Sequence, residues 1–420
     1  MSSDPDRYLG LTNPYVRAIA LGRMAGVAGL QIIVVAVGWQ LYERTGSAWA
    51  LGLVGLVELA PAILLMIPAD NIVDANPRRT VAMIAHTLMA TAALGLAAAS
   101  VMNAETIWIY SMVVLVGIAR VFSGPSVGTI LPQLLRPEQF AKSNAWVSSG
   151  TQFAAVSGPG LGGVLIAVTG TPTAAYLTAA ALQLIFIAML ATLPLVAPPP
   201  RGPKRGAQDL FAGLVFVRRT PMFLAAITLD LFAVLLGGAV ALLPIFAKDI
   251  LHVGPTGLGW LRAAPSFGAL AVALLQTRLP PWQRPGRVMI IAVIGFGVAT
   301  IGFGLSETFW ISMLCLALTG AFDSLSVVIR VTLEQIMTPD HLRGRVSAVN
   351  FLFIGMSNEL GAFESGATAA LFGAVASVVG GGLGTLVVVG AVALAWPQLL
   401  KIGPLHTLRP AELPDKPAAG

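Results

Sequence analysis

The chain has 420 residues; 56% of them are hydrophobic, 10% are charged, and the formal net charge is +6. Soluble domains carry about 25% charged residues because their water-facing surface requires them, so this composition excludes a soluble globular protein. The single cysteine, Cys315, excludes a disulfide framework and a thiolate metal cage, and the four histidines are scattered along the chain. We therefore expect no metal and no cofactor, and we expect a lipid bilayer to surround most of the chain.

Long apolar segments recur at the length of a membrane-spanning helix, about 20 residues. The first thirteen residues are polar and do not resemble a cleavable signal peptide. Because backbone groups in hydrocarbon must be satisfied within the segment, we predict helices rather than strands. The fold is therefore predicted to be an all-α integral membrane protein with twelve transmembrane helices. The predicted spans are 15–42, 48–69, 80–102, 106–131, 143–168, 172–196, 221–247, 254–276, 287–305, 308–332, 346–372 and 375–396.

The basic residues are distributed unevenly between the predicted connections, which indicates the orientation of the chain. If the N-terminus is cytosolic, nineteen of the 25 Lys and Arg residues fall in inside segments. The outside connections contain only Arg44 and Lys248, and the remaining four basic residues lie within spans. We therefore predict that both termini are cytosolic. The positive charge then faces a membrane surface, and no nucleic-acid partner is expected.

A proline-rich, basic segment from Ala197 to Gly206 divides the predicted spans into two groups of six. Such a segment is a stiff linker that cannot enter the membrane. A short amphipathic helix is predicted to follow it, from Gln208 to Arg219, with its apolar face on the cytosolic interface. That face is formed by Leu210, Phe211, Leu214 and Val215. The predicted organisation is an N-terminal six-helix bundle (1–196), a cytosolic linker with the amphipathic helix (197–220), a C-terminal six-helix bundle (221–400) and a cytosolic tail (401–420).

The two groups of spans are related in sequence. Residues 131–140 match residues 333–342, with Leu, Gln and Pro identical at equivalent positions. Gly55 and Pro61 recur as Gly259 and Pro265, and an Asn-Pro before the first span corresponds to a Thr-Pro before the seventh. Three such matches, in order and at nearly one offset, indicate a six-helix unit that is duplicated in parallel. Parallel six-helix repeats occur in the two halves of major facilitator transporters.

Three local motifs resemble those of the major facilitator superfamily, and the resemblance covers nearly the whole chain. Asp70–Arg79 is similar to the family's loop between spans 2 and 3, and Arg120–Pro125 is similar to the span 4 motif of proton-coupled drug exporters. Ser157–Gly163 is similar to the antiporter motif of span 5. Together with Asp230–Val234 and Arg343–Asn350, these segments most closely resemble the enterobactin-exporter-like branch. The resemblance implies two pseudo-symmetric six-helix bundles that transport by alternating access.

The resemblance also implies a cytosolic gate, in which the loop after span 2 pairs across the two halves. This chain departs from the family at two positions, because Asp70 replaces a glycine and Ala75 replaces an arginine. The lock is therefore either weaker or rearranged around Asp70. The alternative is that the arginines only determine topology. The candidate gate residues are Asp70, Asp74, Arg78, Arg79, Arg343 and Arg345.

For the antiporter motif, the functional interpretation is that small residues let spans 5 and 8 slide as the halves rock. The alternative is that the small residues only let the helices pack closely. The same residues fit both interpretations. The residues concerned are Gly158, Pro159, Gly162 and Gly163.

Charged residues inside the spans are functional candidates by default, because each is costly if it faces lipid. Counting at 1.5 Å per residue places Arg23, Arg120, Asp230 and Asp323 near the middle of a core about 30 Å thick. A further pair, Glu58 and Arg262, occupies matching repeat positions. The alternative role is a set of static buried salt bridges. The candidate proton-coupling and cavity residues are Asp230, Asp323, Arg120, Arg23, Glu58, Arg262 and Glu359.

We predict that Asp230 and Asp323 carry a coupling proton, with Arg120 and Arg23 as their counter-charges. Burial raises the proton affinity of a carboxyl group and a nearby arginine lowers it. The two effects together can place protonation near neutral pH. Rocking of the halves would change the distance between aspartate and arginine, and so the proton affinity.

The predicted function is secondary active transport, as a proton-coupled exporter of small amphipathic or hydrophobic compounds, drug-like or siderophore-like. No phosphate-binding P-loop is present, so ATP is not expected to drive it directly. The alternatives are a lipid or metabolite transporter of the same fold, a channel, or an intramembrane enzyme. An enzyme would need clustered catalytic groups at membrane depth, whereas the charges here are dispersed between the spans. The expected partners are a small-molecule substrate, protons and lipid, for a monomer in the bacterial cytoplasmic (inner) membrane.

Overall fold

The computed structural model describes residues 10–198, 207–276, 278, 282–340 and 342–404. Within these ranges the regular structure is helical and contains no strand, so the predicted all-α class is confirmed. The start of the chain, most of the predicted linker and the tail from residue 405 lie outside the described residues. The helices are α1 (Pro14–Thr45), α2 (Ala48–Ala75), α3 (Arg78–Val101), α4 (Thr106–Gly128), α5 (Ile130–Leu134), α6 (Pro137–Thr169), α7 (Thr173–Ala191), α8 (Ala207–Arg219), α9 (Pro221–Leu236), α10 (Leu243–Ile245), α11 (Gly254–Gln276), α12 (Pro285–Gly304), α13 (Phe309–Met337), α14 (Arg343–Phe372) and α15 (Ala374–Ala395).

The ends of α1 show how local sequence defines a helix in this chain. The side chain of Asn13 accepts a hydrogen bond from the backbone N–H of Tyr15 at 2.9 Å and caps the helix start. Pro14 occupies the first helical position, where its missing N–H is not needed. At the other end Gly46 has a φ of 58° and terminates the helix in the left-handed region.

Eleven helices in the described part of the chain are long and apolar enough to cross a membrane. The predicted eleventh span is also a helix, the 30-residue α14, but it is more polar than the others. It contains Arg343, Arg345, Glu359 and Glu364. A membrane helix keeps such residues when they face protein or water rather than lipid. The charged residues of α14 are therefore expected to face protein or water.

The predicted seventh span, 221–247, is not one continuous α-helix. α9 ends at Leu236, and a 3₁₀ turn (Ala239–Leu242), α10 and a π-helical turn (Phe246–Ile250) follow. Gly237 and Gly238 lie at the interruption, where glycine lowers the cost of leaving helical geometry. Counting hydrophobic residues cannot detect such a break, because the sequence stays apolar through it.

The described residues form two compact units. The first contains residues 10–198 together with 243–266, and the second contains residues 207–242 together with 267–404. The residues after the interruption in span 7 and the first half of α11 thus group with the first unit. The predicted division of the chain at the linker stays a prediction about the sequence halves.

In the first unit, α1 packs against α6 and α7, and α3 packs against α4 and α7. In the second unit, α9 packs against α14 and α15, and α12 packs against α13 and α15. The same pairs of repeat-related helices are therefore in contact in each unit. This internal symmetry supports the duplication that the sequence matches indicate.

The amphipathic helix predicted to follow the linker is α8, in the second unit. Its Phe216 and Val217 are buried in a cluster with Val346 and Val349 of α14. On its other face Phe211, Leu214 and Val215 are exposed, as the expected interfacial face requires. The close fit to α14 depends on Gly213, because a Cβ there would lie 2.6 Å from the backbone oxygen of Arg345.

Candidate functional site

Two of the predicted coupling residues line one small cavity in the second unit. Asp230 lines it from α9 and Asp323 from α13, and the space that a water-sized sphere can occupy there is about 10 Å³. The other lining residues are Ala233, Val234, Val293, Phe296, Phe322 and Ser326. Pockets for drug-sized ligands have volumes of about 300–1,000 Å³, so this cavity by itself suits a proton or water rather than a large substrate.

Asp230 forms a buried ion pair with Arg330 of α13. Asp230 is 6% exposed and Arg330 is 2% exposed, so water screens the pair little. Asp323 lies seven residues before Arg330, about 10 Å along the helix axis. Asp323 makes no ion pair or side-chain hydrogen bond within the part of the chain that the structure describes. The cavity therefore contains two carboxyl groups but only one of them is paired with a guanidinium.

Ser326 is the remaining polar group of the cavity. Its side chain is 3% exposed, and its hydroxyl oxygen has no hydrogen-bond partner among the described residues. A buried hydroxyl without a partner carries a desolvation cost of about 1–3 kcal/mol. A water molecule in the cavity would satisfy this hydroxyl.

Two ion pairs between in-span charges each join two helices of one unit. Arg120 of α4 pairs with Glu58 of α2 in the first unit, whereas the sequence assigned Arg120 to the aspartates. Asp230 pairs with Arg330, which is one of the four basic residues within the predicted spans. Residue counting gives depth along a helix but not the direction in which a side chain leaves it. The assignment of Arg120 and Arg23 as counter-charges of the two aspartates stays a prediction.

The Glu58–Arg120 pair joins α2 to α4 at a point of close approach. A Cβ on Gly117 of α4 would lie 3.3 Å from Pro61 and 3.4 Å from the backbone oxygen of Glu58. Gly117 therefore lets Arg120, one turn further on, reach the carboxylate. The other candidates lie on separate helices: Arg23 on α1, Arg262 on α11 and Glu359 on α14.

The candidate gate residues make local contacts. Asp74 accepts a hydrogen bond from Arg78 at 2.6 Å within one turn of chain, and Arg343 pairs with Asp340 at 2.7 Å. Arg79 donates to the backbone oxygens of Leu193 and Ala191, at 2.6 and 3.0 Å. Arg79 thus ties the start of α3 to the carboxyl end of α7, where unpaired carbonyls favour a cation. Asp70 and Arg345 lie at the end of α2 and the start of α14, and the gate itself stays a prediction.

The glycines of the antiporter motif place α6 against two helices of the first unit. A Cβ on Gly158 would lie 3.0 Å from the backbone oxygen of Ala28, and one on Gly162 would lie 3.3 Å from Ile32 Cα, both on α1. On another side, a Cβ on Gly163 would collide with the backbone oxygen of Pro255 at the start of α11. The motif therefore brings spans 5 and 8 into backbone contact, which is the geometry that both sequence interpretations require.

A buried polar network in the first unit connects α1, α3, α4 and α7. His86 Nδ1 lies 2.7 Å from Gln183 Oε1, and its Nε2 lies 3.0 Å from Ser123 Oγ. Gln183 also donates to the backbone oxygen of Gly26 at 2.9 Å. Both ring nitrogens of His86 therefore have partners, as a structural core histidine requires.

Sequence reasoning missed the groups that surround Arg330. Glu334 is buried and accepts hydrogen bonds from Ser347 and Asn350 of α14. The spacing of Arg330 and Glu334, four residues apart on one helix, was the available signal. Among the described residues no group of three or more His, Cys, Asp or Glu side chains could hold a metal ion.

Comparison with known proteins identifies the family. The profile of the family described as transmembrane secretion effector matches residues 7–404. The chain belongs to this family of major facilitator transporters. It is 28% identical over 407 residues to the enterobactin exporter EntS of Citrobacter koseri, with 96% of each chain covered. It is 27% identical over 379 residues to EntS of Escherichia coli O1:K1, with 90% of each chain covered.

Solved structures agree on the fold. A bacterial homologue of the human lysosomal transporter Spinster superposes with a TM-score of 0.73 at 15% identity, covering 95% of this chain and 98% of the other. At this identity the likeness concerns the fold alone. The chain is thus a multi-pass membrane protein and a secondary transporter of the exporter type.

Proposed function

We propose that this transporter exports small amphipathic or hydrophobic compounds in exchange for protons, by alternating access. The observation that carries the proposal is the cavity of the second unit, which Asp230 and Asp323 both line although only Asp230 is paired with a guanidinium. Leaving a buried carboxylate without a counter-charge is costly, and the usual response is to bind a proton. A site with one carboxyl group in excess can therefore load and release a proton during each transport cycle.

The cavity separates the proton site from the substrate site. Its size and its lining of two phenylalanines and three small aliphatic side chains leave no room for a siderophore. The substrate would bind elsewhere and would be linked to the proton by the conformational cycle, not by direct competition.

For the substrate we propose a siderophore-like or drug-like molecule. The full-length similarity to two enterobactin exporters supports the siderophore class. A lipid or metabolite transporter of the same fold is the second candidate. We do not propose catalysis, since the family and these relatives are transporters. We further propose a monomer in the bacterial cytoplasmic membrane with both termini cytosolic, from the distribution of its basic residues.

The test is transport by the purified protein in liposomes with enterobactin as the probe and an imposed pH gradient. Asp230→Asn and Asp323→Asn should each abolish pH-driven transport while substrate exchange without a gradient continues. Glu307→Gln changes an exposed acid in the connection before α13 and should behave as wild type. Full pH-driven transport in both aspartate variants would contradict the proposal. If the protein transports other compounds but not enterobactin, the proposed proton coupling stands and the proposed substrate class is wrong.

A further inference from the structure

Arg330 of α13 has two buried carboxylates near it. Asp230 contacts it from α9, and Glu334 joins α13 to α14. Arg330 forms an ion pair with Asp230, and Glu334 follows Arg330 by one turn on α13. Glu334 is close enough to interact electrostatically with the Arg330 guanidinium. Nε of Arg330 has no hydrogen-bond partner in the described part of the chain. Arg330 therefore keeps donor capacity that its pair with Asp230 does not use.

Glu334 connects α13 to α14 through both of its carboxylate oxygens. The hydroxyl of Ser347 donates to Oε1, and Nδ2 of Asn350 donates to Oε2 at 2.5 Å. Glu334 and Asn350 are 5% and 6% exposed. Ser347 and Asn350 belong to the Arg343–Asn350 segment, which resembles the family. That resemblance does not imply a function for either residue. Their role here is to hold a buried anion without supplying a positive charge.

The charges that face this cluster are few. The cluster contains three carboxyl groups, Asp230, Asp323 and Glu334, and one guanidinium, Arg330. The neighbouring helix α15 has no charged residue, the residues of α11 in this unit have none, and Arg287 of α12 is exposed at the helix start. On α14 the acids Glu359 and Glu364 lie at least two turns beyond Asn350. Arg343 and Arg345 lie near the start of α14 but are exposed, and Arg343 pairs with Asp340 and donates to the backbone oxygen of Gln335. Among the described residues of this unit, Arg330 is the one buried cation that Asp230 and Glu334 can share.

We propose that Arg330 is shared between Asp230 and Glu334, so that protonation of Asp230 changes how Glu334 holds α14. This inference rests on the proposed function, in which Asp230 binds a proton from water in the cavity. With Asp230 ionised, Arg330 pairs with it, and Glu334 relies on Ser347 and Asn350. When Asp230 takes up a proton, Arg330 loses its ionised partner and turns to Glu334. Asp230 then carries the proton, and Glu334 and Arg330 are positioning residues.

The packing of α14 gives this exchange a mechanical consequence. A Cβ on Gly361 of α14 would lie 2.9 Å from the backbone oxygens of Val234 and Leu235, at the end of the helix that carries Asp230. Near its start, α14 packs closely against α8 at Gly213. A change in the bond between Glu334 and α14 is therefore transmitted to both neighbouring helices. Protonation in the cavity would in this way alter the position of the most polar span.

The shared arginine predicts shifts of opposite sign in two kinds of variant. Glu334→Gln removes the competitor, so Arg330 stays with Asp230, the ionised form is favoured, and Asp230 binds its proton only at lower pH. Ser347→Ala and Asn350→Leu remove the hydrogen bonds but leave the charge of Glu334, which then draws Arg330 away from Asp230. Asp230 then binds its proton at higher pH. Each shift should be about one pH unit, the lower end of the effect of a nearby opposite charge.

The measurement is a pH titration of the infrared band of protonated carboxyl groups in the purified protein, without substrate. Asp230→Asn is added to wild type and to each variant, and the part of the band that it removes is the contribution of Asp230. Ser357→Ala is the matched control, because Ser357 is a buried serine of α14 whose hydroxyl bonds to its own helix at Ile354. It should leave the midpoint unchanged.

The outcomes separate this inference from the proposed function. If wild type shows no Asp230-dependent band between about pH 4 and pH 9, Asp230 does not titrate and the proton-coupling role fails. If the band is present but moves in neither variant class, or moves in the same direction in both, the arginine is not shared and only this inference is overturned. If Glu334→Gln does not fold, the Ser347→Ala and Asn350→Leu arm decides alone, and a shift to higher pH supports the inference.

Discussion

At the scale of single residues, the Asp230–Arg330 pair shows why a buried charge in this protein depends on its partner. The attraction between two buried charges is offset by the cost of removing both from water, so the pair adds little net stability. Removing one partner is different, because it leaves an uncompensated charge. That cost is about 3–5 kcal/mol when a buried pair is broken. The pair is thus better suited to holding a proton site in place than to stabilising the fold.

A double-mutant cycle tests this assignment. Arg330→Met should lower the thermal unfolding temperature of the purified protein in detergent, because Asp230 is left buried without its counter-charge. Combining it with Asp230→Asn should restore much of the loss, since replacing both partners by neutral groups of similar shape can be nearly neutral. Unfolding of the two single variants and the double variant at neutral pH gives the coupling energy. Additive losses in the double variant would mean that the two side chains do not depend on each other.

At the scale of elements, the glycines of the antiporter motif determine how closely α6 approaches its neighbours. Gly163 faces the backbone of α11, whereas a Cβ on Gly160 would meet no atom within 4 Å. Adding one methyl group at these two positions therefore has very different steric consequences, although both lie in the same turn and sequence motif.

We expect Gly163→Ala to reduce transport strongly, by about tenfold or more, because the helices must separate to accept a Cβ at a backbone contact. Gly160→Ala should transport at the wild-type rate. Both variants should be compared at equal protein amounts in the same liposomes, using enterobactin as the probe. Equal rates in the two variants would show that the close approach of α6 and α11 is not needed for transport.

Some features of the helices could be predicted from the sequence and others could not. The fold class followed from the composition, because apolar segments of about 20 residues have few structures open to them in a bilayer. The duplication followed from three sequence matches. The break after Leu236 and the partners of Asp230 and Arg120 did not follow. The break depends on the backbone geometry at Gly237 and Gly238, where the sequence stays apolar. The ion pairs depend on the rotation of each helix about its axis, which packing against neighbours determines and hydropathy does not.

At the scale of the whole molecule, the basic residues predict the topology. Arginine and lysine are enriched on the cytosolic side of membrane proteins, and that rule assigns only Arg44 and Lys248 of this chain to outside connections. Arg44, near the end of α1, donates to the backbone oxygen of Ala104 at 2.6 Å, and Lys248 lies 5.8 Å from the ring centroid of Tyr42. Asp249 accepts a hydrogen bond from Tyr42 beside it. These two basic residues thus have local contacts within the first unit.

Single cysteines test the resulting orientation. The background is Cys315→Ser, which removes the only native thiol of the chain. Glu138→Cys lies at the start of α6 and Glu307→Cys lies in the connection before α13, and both positions are exposed. A membrane-impermeant maleimide applied to intact cells should label Glu307→Cys, whereas Glu138→Cys should react only after the membrane is opened. Because twelve spans with cytosolic termini place these two connections on opposite sides, labelling of both from outside, or of neither, would require a different number of spans between them. The direction of any measured proton flux depends on this orientation, so the labelling must precede the assignment of export.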